Sequence, residues 1–439
     1  MCAKALTRQL STRIKGIKRP KKAKLYIYLF SILALAGAFS FSVAYSSLYS
    51  SITIQNSGNI SIGVTAASGS AVDIQAAVNL AASNGGGNVY IPAGIFNWAS
   101  SAQEWLEVQV PEGVSIFGAV PQLDGNGQVL SYRTIIQIPF EPGGWGGGVT
   151  DPSPLMFRFT GANGAHGRSR FSYIEFDGYR TFNTSSKSEQ LSIAATNMAG
   201  FRIDHCFFHN IAGGISLSKC RAVIDHCRMI NDVGIPGPNT YTDETVGYGV
   251  AVFGDSTWDD NIYNVVGHFT KNTVVIEDCY FSLWRHCVAS NDGSHYVFRH
   301  NIINGDTGFG SLDAHGTYNI VGSRATEVYD NYFGNVTGYY GQAVMFWRGG
   351  GGVFYNNVFT ATASGFLPYL SLQIVNEGSV EKCFPHDMYL WNNTNMVNVA
   401  VLSGGITENE DYFLYAMPNF APLVYPFPLD ENGLPSAIP

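Results

Sequence analysis

Four residues, Ile203-Asp204-His205-Cys206, recur 21 positions later as Ile224-Asp225-His226-Cys227. The pattern returns as Ile276-Glu277-Asp278-Cys279 and, 22 residues on, as Phe298-Arg299-His300-Asn301. Val328-Tyr329-Asp330-Asn331 and Phe354-Tyr355-Asn356-Asn357 continue it at intervals of 30 and 26, and Leu390-Trp391-Asn392-Asn393 reads as the last copy. A large apolar residue follows two places after the Cys or Asn: Phe208, Met229, Phe281, Ile303, Phe333 and Phe359. Strand-like alternation broken by a turn, at a period in the low twenties, predicts an all-β solenoid of stacked coils.

In that register Cys206, Cys227 and Cys279 form one column, continued by Asn301, Asn331, Asn357 and Asn393. A stacked Asn amide can donate to one coil and accept from the next, which satisfies polar groups in a narrow interior. A small buried Cys fills the same slot. Seven cysteines without CxxC spacing disfavour a zinc site. Pairing of Cys206 with Cys227 stays open.

The charge distribution bears on function. Nine basic residues and no acid lie in positions 1–24; the rest holds 16 basic residues against 33 acidic ones, a balance of −17. That excludes a nucleic-acid partner bound through a cationic face. Residues 25–44 are uncharged and apolar, and twenty residues at ~1.5 Å rise span a hydrocarbon core of ~30 Å. The basic segment 1–24 should stay cytoplasmic and the bulk of the chain should go outside, at the cell surface or beyond it. Two readings of 25–44 remain open, a transmembrane anchor or a signal helix cleaved near Ser42-Val43-Ala44. Sequons at Asn59, Asn183, Asn335 and Asn392 are compatible with export. Residues 45–70 read as a linker or stalk, or as a single strand, and 71–439 as the solenoid domain. A short amphipathic helix is expected from Asp73, with Ile74, Ala77, Val78 and Ala81 on one face, stopped by Asn84-Gly85-Gly86-Gly87.

The stretch DIQAAVNLAASNGGGNVYIPAGIF (73–96), followed by VPEGVSIFGA (110–119), resembles the N-terminal signature of the pectin-lyase-like family of right-handed parallel β-helix proteins. The later repeats look like that family's coils, and DYFLYAMPNFAPLVYPFPL (411–429) is similar to the tail of secreted β-helix proteins. The resemblance covers roughly residues 70–430 and implies a helix capping the open end of the solenoid. For activity it is broad, because the fold hosts lyases, hydrolases, epimerases and adhesins.

Two segments interrupt the period. Residues 233–272 leave room for one degenerate coil and a loop holding Trp258, and 305–316 (GDTGFGSLDAHG) lengthen a coil from 22 to 30 residues. Such loops commonly build the binding face of a solenoid. A third loop, 141–154, offers Trp145 as an aromatic platform. Ionisable residues concentrate near the second interruption: His286, Asp292, His295, Asp313, His315 and Arg324. Asp292 lies 13 places beyond Cys279, and Asp313 and His315 lie 12 and 14 beyond Asn301. With the extra residues placed late in the coil, they fall on neighbouring strands ~5 Å apart. A His beside carboxylates makes a proton-transfer group.

Asp313-Ala314-His315-Gly316 is similar to the Gly-His-Gly of polygalacturonase-type hydrolases, and Ser290-Asn291-Asp292 to their Asn-x-Asp; the paired Asp and the Arg-x-Lys are absent. The same Asp-x-His resembles the Asp-Pro-His-Asp of alginate C5-epimerases without its Pro or second Asp. Related lyases use Arg or Lys as base, with Ca²⁺ or further basic residues for neutralisation, and Arg348-Gly349 looks like their Arg-x-Gly turn. The expectation is a carbohydrate-active protein cleaving a polysaccharide by lyase or hydrolase chemistry. His315, Asp313, Asp292 and His286 are the proton-transfer candidates and Arg324 the charge neutraliser. Trp258, Trp145, Arg348 and His295 are the substrate-binding candidates. An exterior at −17 repels a polyuronate, which makes Ca²⁺ the expected cofactor for an acidic substrate. The alternative is a non-catalytic surface glycan-binding protein or adhesin with a β-helix stalk.

Overall fold

The computed structural model describes residues 49–54, 60–98, 107–125, 128–137, 155–162, 168–178, 191–211, 213–231, 248–256, 261–305, 310–316, 321–334, 344–360, 370–372, 384–395, 399–401 and 405–436. The basic segment and apolar stretch of 1–44, Trp145 and Trp258 lie outside them. Among the described residues no helix is long and apolar enough to cross a membrane.

The chain forms a parallel β-helix. Each coil gives one strand to each of three sheets, of thirteen, ten and nine strands among the described residues. One coil runs Gly200–Asp204 in the thirteen-stranded sheet, Phe207–His209 in the nine-stranded sheet and Gly213–Ser218 in the ten-stranded sheet. The next coil starts at Ala222–Asp225, with Ile203 opposite Ile224 and Asp204 opposite Asp225. The repeat read from the sequence is therefore the corner between the first two strands.

Two physical demands explain the repeat. The residue before each Cys or Asn has a left-handed backbone: His205, His226, Asp278, His300, Asp330, Asn356 and Asn392 have φ between 50° and 57°. Asp, Asn and His are enriched in that conformation. The next position points inward and carries the ladder. Asn331 Nδ2 donates to Phe298 O at 2.8 Å, Tyr329 O at 3.0 Å and Asn357 Oδ1 at 2.9 Å. Its Oδ1 accepts from Asn301 N at 2.9 Å and Nδ2 at 3.2 Å. Asn301 Oδ1 passes the ladder to the backbone of Cys279 at 2.9 Å, and Asn393 receives Asn357 at 3.0 Å. Cys206, Cys227 and Cys279 are buried free thiols, so no disulfide joins the first two. Behind the ladder, Phe208, Met229, Phe281, Ile303, Phe333 and Phe359 are all buried.

The helix spans Ala71–Ser83. Ser70 caps it by accepting from Asp73 N, and Ala71, Ile74, Ala77, Val78 and Ala81 are buried. They join the interior cluster that runs through the solenoid, so the helix covers the first coils. It stops at Asn84 and Gly85, whose φ of 90° a side chain would resist.

Three expectations need correction. Within 45–70, read as a stalk or a single strand, the described segments Tyr49–Ile54 and Ile60–Thr65 form an antiparallel pair whose second strand pairs with Gly87–Tyr90. Among the described residues, 233–272 hold no additional coil, since Ala222–Asp225 pairs directly with Thr273–Glu277. Tyr248–Phe253 is the ordinary ten-stranded-sheet strand of its coil, with inserted chain on both sides. The extra residues of the coil containing 305–316 are not all late: two precede Asp313, which pairs with Ala289 and not Asn291, and the other six lie between Asp313 and Ala325, which pairs with His295. That slip is two residues, so the side-chain period of two keeps Asp313 on the same face.

The outer face of the thirteen-stranded sheet is covered. Val275, Val297, Ala325, Val353 and Tyr389 pack against Ile262, Val265 and Phe269 and against Met417 and Phe427 of the C-terminal segment. Beneath this strap Arg299 pairs with Glu277 at 2.7 Å and Arg202 with Asp225 at 2.6 Å. Arg299 also donates to Val424 O at 2.7 Å, and Glu277 accepts from Phe427 N at 2.8 Å.

Candidate functional site

The outer face of the ten-stranded sheet holds the acid–base cluster. Val288 opposes Leu312, whose side chain is in the core, so the alternating positions Ala289 and Asp313 face outward. Met345, Phe346 and Trp347 follow on the next strand, with Phe346 opposite Asp313.

Asp313 is 1% exposed and takes a two-pronged contact from Arg348, Nη2 to Oδ2 at 2.6 Å and Nε to Oδ1 at 3.0 Å. Burial alone would raise its carboxyl pKa; the charge and hydrogen bonds of Arg348, helped by His286 only in its protonated form, outweigh it and hold Asp313 below the usual carboxylate value. His286 is 4% exposed, and its Nδ1 donates to Gly310 O at 2.7 Å. That bond fixes the tautomer and leaves Nε2 as the lone-pair nitrogen, 3.9 Å from Asp313 Oδ2. Burial pulls His286 down to about 4 against the opposing pull of Asp313, so the ring is neutral at pH 7. Tyr248 stacks on it at 5.4 Å, Phe346 meets it edge-on at 6.2 Å, and Arg285 lies over Tyr248 at 5.5 Å.

Asp292 and His315 stand at the rim, half-buried, where the chain turns toward the thirteen-stranded sheet. Asp292 has a left-handed φ of 55°. Burial raises its carboxyl pKa, partly offset by His315 and Lys219. His315 is tied by its backbone to Ser290 O at 3.0 Å and to Ser323 N at 2.8 Å. It is an electrostatic neighbour of both Asp292 and Asp313.

The structure thus puts His286 and Arg348 on Asp313, and His315 near both Asp313 and Asp292, with Asp292 at the far end of the strand that His286 opens. Arg348 is the arginine on Asp313; Arg324, expected to neutralise substrate charge, opens the strand Ala325–Tyr329, its backbone bonded to Ser294 O. His295, expected to bind substrate, does not join this group. It sits on the thirteen-stranded sheet, 1% exposed, bonded to Glu327 at 2.9 Å and Thr273 at 2.9 Å. Sequence reasoning missed Tyr248 and Phe346, which lie outside the repeat and whose only signal is their place on the sheet. Among the described residues no group of three or more His, Cys, Asp or Glu could hold a metal ion.

The sequence matches no family model, and no curated protein matches it. Solved structures do match. The A-module of a mannuronan C-5 epimerase of Azotobacter vinelandii is 14% identical over 79% of this chain and 95% of its own, with a TM-score of 0.40. The tailspike protein of E. coli bacteriophage HK620 is 14% identical over 81% of this chain and 59% of its own, at 0.43. An alginate lyase of Paenibacillus sp. is 11% identical over 82% and 97%, at 0.36. At such identities and scores these likenesses carry no argument about activity, and function has to be read from the site.

Proposed function

We propose that this is an exported polysaccharide-cleaving β-helix protein whose site is the outer face of the ten-stranded sheet around Asp292, Asp313 and His315. One observation carries the reading. Two carboxyl groups that share His315 as an electrostatic neighbour have pKa values pushed in opposite directions, Asp292 up by burial and Asp313 net down, chiefly by Arg348. Such a split is how one site supplies both a proton donor and a fixed negative charge. Asp292, half-buried at the rim, is the donor, and His315 exchanges protons beside it. Asp313, clamped by Arg348, supplies the charge beneath, with neutral His286 ordering the floor. Export rests on the basic segment followed by 20 uncharged residues.

A second reading has its own support. Asp313 and His286 are 1% and 4% exposed, as befits a buried scaffold under a non-catalytic glycan-binding face. The full-length protein should be incubated with neutral and acidic polysaccharides, with and without Ca²⁺, following unsaturated products by absorbance and new reducing ends. Asp292→Asn and His315→Ala should each lower turnover by ~10²-fold or more, the scale of a lost acid–base group. Turnover unchanged in both variants would refute the assignment, and binding without turnover on every substrate favours the second reading.

A further inference from the structure

A second feature lies two strands from Asp292, at the same corner of the solenoid. Asn197, Lys219, Ser256 and Asp292 occupy the turns that leave the ten-stranded sheet, with φ of 58°, 56°, 58° and 55°. They are stitched together: Asn197 N bonds Ser218 O at 3.0 Å, Lys219 N bonds Phe253 O at 2.9 Å, and Ser256 N bonds Asp292 O at 2.9 Å. At ~4.8 Å per strand, Lys219 is about 10 Å along the column from Asp292. Lysine is an uncommon occupant of a left-handed turn, where Asn, Asp and Gly are favoured, and its neighbours in the column do follow that preference at 197 and 292.

Around Lys219 the surface is concave. A cavity of about 340 Å³ is lined by Asn197, Met198, Lys219, Arg221, Asp255 and Lys271, among others. Three cations face one carboxylate, and Asp255 is already engaged by Lys271. Most other described arginines have an acid in contact: Arg158 with Glu107, Arg168 with Asp430, Arg170 with Asp204, Arg202 with Asp225, Arg299 with Glu277 and Arg348 with Asp313. Lys219 and Arg221 have no such carboxylate among the described residues. Arg221 instead donates Nε to Ala199 O at 2.8 Å and lies over the Phe269 ring at 5.5 Å, which fixes the guanidinium at the cavity wall. Burial, and then the nearby Arg168, lower its pKa, the signature of a cation lacking a counter-charge. Outside positions 1–24 the chain has four lysines, and two of them meet here.

We infer that this cavity is an anion-binding subsite that takes a carboxylate or sulfate-ester group carried on the sugar chain bound over Asp292. The inference rests on the proposed glycan site and adds its substrate class: a polysaccharide with an anionic substituent. The balance of −17 is an average over the exterior, and this corner is its local reversal. A polyanion can therefore be held by side chains alone, through charge-assisted bonds to Lys219 and Arg221.

The test is binding, read separately from turnover. Full-length protein would be titrated calorimetrically with oligosaccharides of equal length that are neutral, uronate-bearing or sulfated. The Lys219→Asn/Arg221→Gln double variant removes both charges while Asn keeps the turn. Expected is binding of at least one anionic ladder with a Kd weakened about tenfold or more in the double variant, and no such change for neutral sugar. Preference between the uronate and sulfate ladders identifies the group. An unchanged Kd for the anionic ladders, or no binding of either by the wild type, overturns the subsite. An equal loss on neutral sugar also overturns it, since charge would then not be what the cavity reads. Turnover separates the two ideas: anion binding that persists while Asp292→Asn and His315→Ala both leave turnover unchanged leaves the subsite standing and removes the catalytic reading.

Discussion

Replacing Asn331 by Ala tests whether the interior ladder holds the coils together. Its Oδ1 is the acceptor for the backbone N–H of Asn301 at 2.9 Å, and both residues are almost wholly buried. Truncation leaves that N–H without its partner, at a cost of about 1–3 kcal/mol, and removes further lateral bonds worth about 1 kcal/mol each. The expected loss is about 3 kcal/mol. Cysteine offers an internal standard, because the column already uses it: Cys279 Sγ accepts from Cys227 N at 3.4 Å. Asn331→Cys keeps an acceptor in the slot and should lose about half as much. Urea unfolding followed by far-UV circular dichroism gives both numbers from the midpoint shift, provided the slope is unchanged. An Ala variant within about 0.5 kcal/mol of wild type, or a Cys variant as damaged as Ala, would refute the ladder argument.

His286 stays neutral in the fold with a pKa of about 4, against ~6.5 unfolded, so the unfolded state binds more protons between those values. Its contribution is complete above pH 6.5 and falls as pH drops toward 4, by about 3 kcal/mol, and His286→Gln should flatten that part of the stability–pH curve. Arg348→Met strands the Asp313 carboxylate and should cost about 3–5 kcal/mol at pH 7. The deficit should shrink on acidification, as protonation removes the stranded charge, and urea midpoints at pH 7 and 5 check this. Phe427→Ala empties a site where the ring meets Phe269 at 4.4 Å and should cost about 3 kcal/mol by thermal or urea unfolding.

Much of the architecture was legible because the same corner recurs with the same demand: a residue tolerant of left-handed backbone, then a small or amide side chain pointing inward. Ile203 through Asn393 state that rule seven times. The capping helix was legible for a different reason, the 3.6-residue spacing of Ile74, Ala77, Val78 and Ala81. Insertions were harder to read. The two extra residues before Leu312 left no local mark, so Asp313 was set opposite the wrong partner although on the right face. Roles were harder still. Arg324 and Arg348 are alike in sequence, and only strand register puts Arg348 on Asp313. His295 sits among the clustered ionisable residues, yet the next sheet carries it under the strap to Glu327.

The strap has a bearing on how this protein comes apart and how it is completed. A solenoid whose coils touch only their neighbours frays coil by coil from its ends. Here the C-terminal chain runs backward over the stack. Leu423 and Val424 reach Arg299, Phe427 reaches Glu277, and Asp430 and Gly433 reach Arg168 and Arg202. These contacts span more than 120 residues of sequence, so they close only after the last coil has been synthesised. Where such contacts close after the folding transition state, they act by slowing unfolding. The strap is then a kinetic latch that ties loss of the early coils to release of the chain's final segment.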